Sequence, residues 1–332
     1  MRIAIVHNAL SAASAPDEQD VLIQADTVTD ALRELGHKPL PLTCGLNLSR
    51  VQSELRTLAP QMVFNLVESL EGTGRLIHLF PFLLDTMALP YTGAGAEAML
   101  LTSNKLLAKA LLDSAGLPTP AWVAPEKASG PGLFRRPREN PRRWIIKSVW
   151  EHASIGLDAE AVVETASDPN LEALMAAHAP KMGGACFAEA FIEGREFNLS
   201  LLDGPEGPQV LPPAEIIFEG FSGEPTRIVD YQAKWDDASY QYHHTPRCFD
   251  FDPADAGLLE QLSTLCLECW ELMGLRGYAR IDFRVDAHER PWILEINTNP
   301  CLSPDAGFAA AVHQAGLTMT EAVARIVAAS AV

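Results

Sequence analysis

The stretch Arg280-Ile281-Asp282-Phe283-Arg284-Val285, then Asp286-Ala287-His288-Glu289-Arg290, then Pro291-Trp292-Ile293-Leu294-Glu295-Ile296-Asn297 reads as two strands joined by a polar turn. Both strands alternate polar with apolar residues, the period of a strand with one buried face. In the first, Arg280, Asp282 and Arg284 share a face and Ile281, Phe283 and Val285 the other; in the second, Glu295 and Asn297 oppose Trp292, Leu294 and Ile296. A hairpin centred near positions 288 and 289 sets Asp282 across from Glu295 and Arg280 across from Asn297. One patch then carries two carboxylates, a carboxamide oxygen and a guanidinium. Oxygen donors of this kind suit a hard cation such as Mg²⁺, usually held by one or two carboxylates together with substrate phosphates. On polarity alone the same residues also read as a solvated strand face with cross-strand charge pairs. The abrupt exit through Asn297-Thr298-Asn299-Pro300 favours the first reading, because a strand ending this way delivers side chains into a cleft.

At 332 residues the chain is long enough for two or three domains, and its 48% apolar and 20% charged content is that of a soluble globular protein. A net charge of −18 argues against a general nucleic-acid or membrane-surface binder, since both need basic patches. The opening run Met1 to Asn8 is too short for a signal-peptide core and reads as a first buried strand. No stretch approaches the roughly 18 apolar residues of a membrane span. Cys44, Cys186, Cys248, Cys266, Cys269 and Cys301 follow no framework spacing, which points to reduced thiols in a cytoplasm. Cys266 and Cys269 lie three apart in an amphipathic run, on one helical face, so packing is the preferred reading over metal or redox work.

Residues 1–103 alternate strand and helix signals, with strands at 3–6 and 62–66 and helical spacing at 21–35 and 76–87. That is the pattern of a parallel α/β unit. A second unit, 104–190, opens with a helix after Asn104 that closes at Gly116. It continues through a Pro-rich basic stretch (118–143) with a short strand at Trp122-Val123, then strands at 144–147 and 186–192. A third unit, 191–332, holds a polar stretch at 219–246, a helix at 255–273, the hairpin, and a terminal helix at 318–329.

Taken in order, these motifs resemble the ATP-grasp ligases, and within them the D-alanine–D-alanine ligase family, over nearly the whole chain. Leu89-Pro90-Tyr91-Thr92-Gly93-Ala94-Gly95 with Ser103-Asn104-Lys105 is similar to the family's "IPYTGSG…DK" passage. Ile145-Ile146-Lys147 and Ser154-Ile155-Gly156 resemble its strand lysine and phosphate loop. Glu189 to Glu196 resembles its "EEFIEGRE" hinge, and Tyr231-Gln232-Ala233-Lys234-Trp235 its "DYEAKY" mobile loop. The hairpin with Asn297-Thr298-Asn299-Pro300 resembles its metal site. The resemblance implies an ATP-grasp fold of three domains with an N-terminal parallel α/β domain. It implies ATP with two Mg²⁺ ions (Mn²⁺ as a substitute) and a homodimer acting on small amino acids or amines. Lys105 and Lys147 would flank the triphosphate, backbone of Glu189, Ala190, Phe191 and Ile192 would face the adenine, and Glu196 would accept from the ribose. Asp282, Glu295 and Asn297 would hold the metals, and Arg280 would orient the carboxylate being phosphorylated. Loops around Ser154 and Lys234 would exclude water while an acyl phosphate forms and an amine displaces phosphate.

Departures from the family pattern gather on the amino-acid side. Glu18 is the counterpart of a glutamate that holds the first substrate's ammonium group. The serine and tyrosine that connect to it in the family are here Ala153 and Trp235, so the lid must close differently. A family histidine gives way to the acidic Glu68 after Phe64-Asn65-Leu66-Val67. Where the family places a serine on the acceptor carboxylate, this chain has Ala306 with Asp305 beside it. An acidic pocket of this kind suits a cationic or amine-rich acceptor. The alternatives are an authentic D-alanine–D-alanine ligase, and an ATP-sensing pseudoenzyme without catalytic work.

Overall fold

A computed structural model describes residues 1–10, 14–125, 141–165, 168–221 and 226–330. Residues 11–13 and parts of the basic stretch (126–140) and of the polar stretch (222–225) lie outside the described residues. Three sheets organise the rest. The first holds β1 (Arg2–Asn8), β2 (Lys38–Cys44) and β3 (Met62–Leu66), all parallel, in the order β2-β1-β3. Its strands read as near-continuous apolar runs because both faces are covered, on one side by the helix Pro16–Glu34 and on the other by Leu48–Leu58. The first helix begins five residues earlier than its apolar spacing predicts, since Pro16 at the first helical position and the acidic Asp17 and Glu18 form a start that is polar.

The second sheet is antiparallel, in the order β4 (Trp122–Val123), β7 (Cys186–Ala190), β5 (Arg143–Ser148), β6 (Val162–Glu164). The third is built on β8 (Arg195–Leu202) and β12 (Tyr278–Val285), which pair along their full lengths. β13 (Pro291–Asn297) flanks β12; β10 (Ala214–Ile216) and β11 (Arg247–Cys248) extend the other edge, with β9 (Gln209–Val210) on β8.

Two cores cross the chain's linear order. The helices Ala96–Ser103 and Lys105–Ser114 pack with Ala256–Met273 against β8, β12 and β13. There Cys266 and Cys269 are fully buried among apolar side chains, as one helical face predicts. The final helices Gly307–Gln314 and Met319–Ala328 return to cover the first sheet through Phe308, Val323 and Ile326. The carboxyl ends of the parallel strands, where ligands gather in such sheets, are thereby brought to the end of the third sheet's hairpin. Among the described residues no helix is long and apolar enough to cross a membrane.

Candidate active site

β12 and β13 pair Arg280 with Asn297 and Asp282 with Glu295, as the alternation predicts. The register then slips: Phe283 faces Ile293, and Leu294 is left as an extra residue in a bulge. This corrects the expected facing of Leu294. Ile293 takes the buried position beside Ile296, and Leu294 and Glu295 both line a cleft. Asp282 accepts from Arg280 Nε at 2.7 Å and Nη2 at 2.9 Å, from Asn198 at 2.9 Å and from Asn297 at 3.2 Å. Glu295 Oε1 lies 2.8 Å from His152 Nδ1 and 3.2 Å from Lys105 Nζ. Burial alone would raise the Glu295 carboxyl; Lys105 and His152 outweigh it and hold the group well below the usual carboxylate range. Two carboxylates and a carboxamide on adjacent strands match the oxygen chemistry of Mg²⁺. Among the described residues no three His, Cys, Asp or Glu form a ligand cluster, so phosphate oxygens would complete the shell.

All of the expected nucleotide contacts (Lys105, Lys147, Glu189, Ala190, Phe191, Ile192 and Glu196) line one cleft of about 100 Å³ together with Asp282, Glu295, Ser154 and Lys234. Several are already engaged. Lys105, on the first turn of a helix capped by Asn104, donates to the Glu151 carbonyl at 2.6 Å. Glu189 is 1% exposed, held between Lys147 at 2.5 Å and Lys109 at 2.6 Å. Burial would raise its carboxyl, but the two ammonium groups hold it below its ordinary value. Lys109 was not anticipated; it follows Lys105 by one helical turn, the spacing that could have singled it out. The N–H groups of Ala190 and Phe191 bond to the carbonyls of Ala121 and Arg143, so they are not free to meet a base. Glu196 accepts from Arg284 at 2.7 Å.

With Ala153 and Trp235 in place of the family's serine and tyrosine, the loops around Ser154 and Lys234 are joined by other ties. Trp235, on the short helix Tyr231–Trp235, donates its Nε1 proton to the Ala153 carbonyl at 3.1 Å. Tyr231 donates to Asp17 at 2.8 Å, and Ser154 to the Val229 carbonyl at 2.9 Å. Ala153 and Ser154 both sit at positive φ, 59° and 60°, a conformation that costs a non-glycine residue about 1–3 kcal/mol and persists where the surroundings hold it. Lys234 faces Arg280, Asp282, Glu295 and Glu196; burial and then the like charge of Arg280 lower its ammonium below the ordinary value.

A second cavity, of about 840 Å³, opens beside the cleft. Glu18, Glu68, Trp235, Arg280, Asp305 and Ala306 all line it. Glu18 also accepts from the Ala15 N–H at 3.2 Å, at its own helix start. Glu68 accepts from Gln24 at 2.9 Å, and burial, opposed by that bond and reinforced by Asp20 and Asp17, pushes its carboxyl up to about 7. Asp305 stands exposed one residue before Ala306, which starts the helix Gly307–Gln314 without a side-chain cap. The acidity expected at this end is offset by Arg247, which reaches the Asp305 carbonyl at 2.9 Å and lines the same wall. Asn198, His152 and Arg247 had no signal in the sequence, since each joins the site from a separate element.

Cleft and cavity share Glu151, His152, Glu196, Lys234, Asp282 and Glu295. A lysine-lined cleft between two antiparallel sheets, meeting a larger cavity at a carboxylate-bearing hairpin, is the arrangement expected of an ATP-grasp ligase. A solved structure of the D-alanine–D-alanine ligase from Bacillus anthracis has this fold, with a TM-score of 0.73 and 20% identity covering 99% of this chain and 97% of that one. The family model of the D-ala D-ala ligase C-terminus matches residues 111–328. The D-alanine–D-alanine ligase of Moorella thermoacetica is 30% identical over 332 residues, 98% of each chain, and that of Synechococcus sp. (strain JA-3-3Ab) is 28% identical over 96% of this chain and 91% of its own. The chain belongs to the D-alanine–D-alanine ligase family, and is an ATP- and magnesium-dependent enzyme that forms carbon–nitrogen bonds.

Proposed function

We propose that this enzyme phosphorylates the carboxylate of an amino acid and joins it to an amine acceptor through a pocket altered from that of its relatives. The observation that carries the reading is the shared wall: Asp282, Glu295 and Lys234 border both cavities, so a carboxylate in the larger one meets a γ-phosphate in the smaller one. Magnesium, one or two ions with Mn²⁺ as a substitute, would be held by Asp282, Glu295 and Asn297 and would neutralise charge on the transferring phosphoryl group. Arg280 and Lys234 orient the attacking carboxylate, Lys105 and Lys147 take the phosphates once their present partners yield, and the ties at Ser154 and Trp235 keep water from the acyl phosphate. Ala306 offers the acceptor no hydroxyl; Arg247 offers a guanidinium instead. Units 1–103, 104–190 and 191–332 would move as the three domains of a homodimer in a reducing cytoplasm.

A second reading, an authentic D-alanine–D-alanine ligase, draws support from the same Arg247, which can hold a small acceptor's carboxylate. ADP release measured over pairs of neutral, acidic and basic amino acids of both hands separates the two. D-Alanine alone turning over as fast as any other pair supports the second reading and ends the first. Glu295→Gln should keep the fold, with a lowered thermal midpoint from the lost pairing with Lys105 and His152, and lose about 100-fold or more in turnover; undiminished ADP release would remove Glu295 from the metal site.

A further inference from the structure

One end of the large cavity carries more negative charge than the ligase reaction needs. Asp17, Glu18 and Asp20 reach it from the start of the helix Pro16–Glu34, and Glu68 from the loop after β3. The helix dipole accounts for the acids of the first turn. It does not account for Glu68, which arrives from another element. None of the four forms an ion pair with a lysine or arginine among the described residues. Neutral groups hold them in place instead. Gln24, itself fixed by the Leu302 N–H at 3.1 Å, donates to Asp20 at 3.1 Å and to Glu68 at 2.9 Å. Ser303 and Cys301 donate to Asp20 at 2.8 and 2.9 Å.

Asn8 adds an independent observation. It ends β1, lines the same cavity, is 3% exposed, and its Oδ1 has no hydrogen-bond partner among the described residues. A buried oxygen left without a donor costs about 1–3 kcal/mol. A donor supplied from the cavity removes that cost. The wall therefore offers acceptors and negative charge, and the group that completes it is a cation rich in N–H. An ammonium group, with one positive charge and three N–H donors, meets such a set of acceptors. One α-ammonium group at Glu18 would leave Asp17 and Asp20 uncompensated even with Glu68 protonated. Arg247 and Arg280 line the same cavity, so a molecule that carries both a carboxylate and an ammonium group matches its mixed charge.

We propose that Asn8, Asp20 and Glu68 form a subsite for the side-chain ammonium group of a basic amino acid, which is one of the two substrates joined. This rests on the ligase reading above. Calorimetry on the full chain with MgADP tests it directly, comparing both enantiomers of lysine and ornithine with norleucine, which lacks only the terminal ammonium group of lysine. At least one basic amino acid should bind tenfold or more tightly than norleucine, and Glu68→Gln should close most of that gap. Asn8→Leu, which removes the unpartnered oxygen with little change in volume, is a second variant should the first fail to fold. Equal binding of lysine, ornithine and norleucine, or none by any of them, overturns the subsite. Tight binding of a basic amino acid without ADP release from any amino-acid pair overturns the ligase reading and leaves the subsite standing. Release of ADP with neutral amino acids and no preference for basic ones does the reverse.

Discussion

Glu68 shows how one side chain reports on its surroundings. Its carboxyl titrates at about 7 in the folded chain, because burial and then the neighbouring Asp20 and Asp17 oppose ionisation, against about 4.5 when unfolded. Between those values the native state holds a proton that the unfolded chain has released, so stability falls as pH rises from about 4.5 to 7 and levels off above. Glu68→Gln keeps the shape and removes the titration. The wild type's thermal midpoint relative to this variant should therefore be highest at pH 4.5 and lowest at pH 8; a difference independent of pH would show that Glu68 ionises normally. Glu189 has the opposite character. Two ammonium groups keep it charged, and removing it would strand the buried Lys109 beside the half-buried Lys147, a change that in comparable buried sites costs about 3–5 kcal/mol.

At the level of elements, the lid helix Tyr231–Trp235 is too short to be stable alone. It stands because Asp230 caps it, accepting the Ala233 N–H at 2.9 Å, and because Tyr231 and Trp235 are tied elsewhere. Trp235→Phe deletes one hydrogen bond worth about 1 kcal/mol, equivalent to about fivefold. The expected result is a rise of that size in KM for the amino substrates with kcat changed less than twofold. A kcat loss with KM constant would mean that Trp235 serves the chemistry and not closure. The hairpin register was legible because strict alternation flanks a polar turn, and a one-residue slip would reverse every facing. The bulge was not legible, since Ile293, Leu294 and Ile296 are interchangeable in hydropathy and only packing against the helix Lys105–Ser114 selects Ile293 for the core. Asn198 and His152 were hidden for another reason: they meet Asp282 and Glu295 across 84 and 143 residues, a distance over which no periodicity runs.

Across the whole molecule, the cleft draws Lys147 from the second sheet, Lys105 from the helix Lys105–Ser114 and Glu196, Asp282 and Glu295 from the third sheet, so a nucleotide bound there should bridge them. MgATP at one hundred times its Kd should stabilise the fold by about 2.7 kcal/mol, read as a rise in thermal midpoint. Lys147→Ala should shrink that rise, and no shift at saturating MgATP would refute the assignment of the cleft. The lid has a wider consequence. Its ties run to Asp17 in one direction and to Ala153 and Ser154 in the other, so a single short segment is pinned to both neighbours. On the function proposed above, release of that one segment would open the cleft and the larger cavity together, so nucleotide and amino substrates would share one door and a catalytic round would end in a joint discharge.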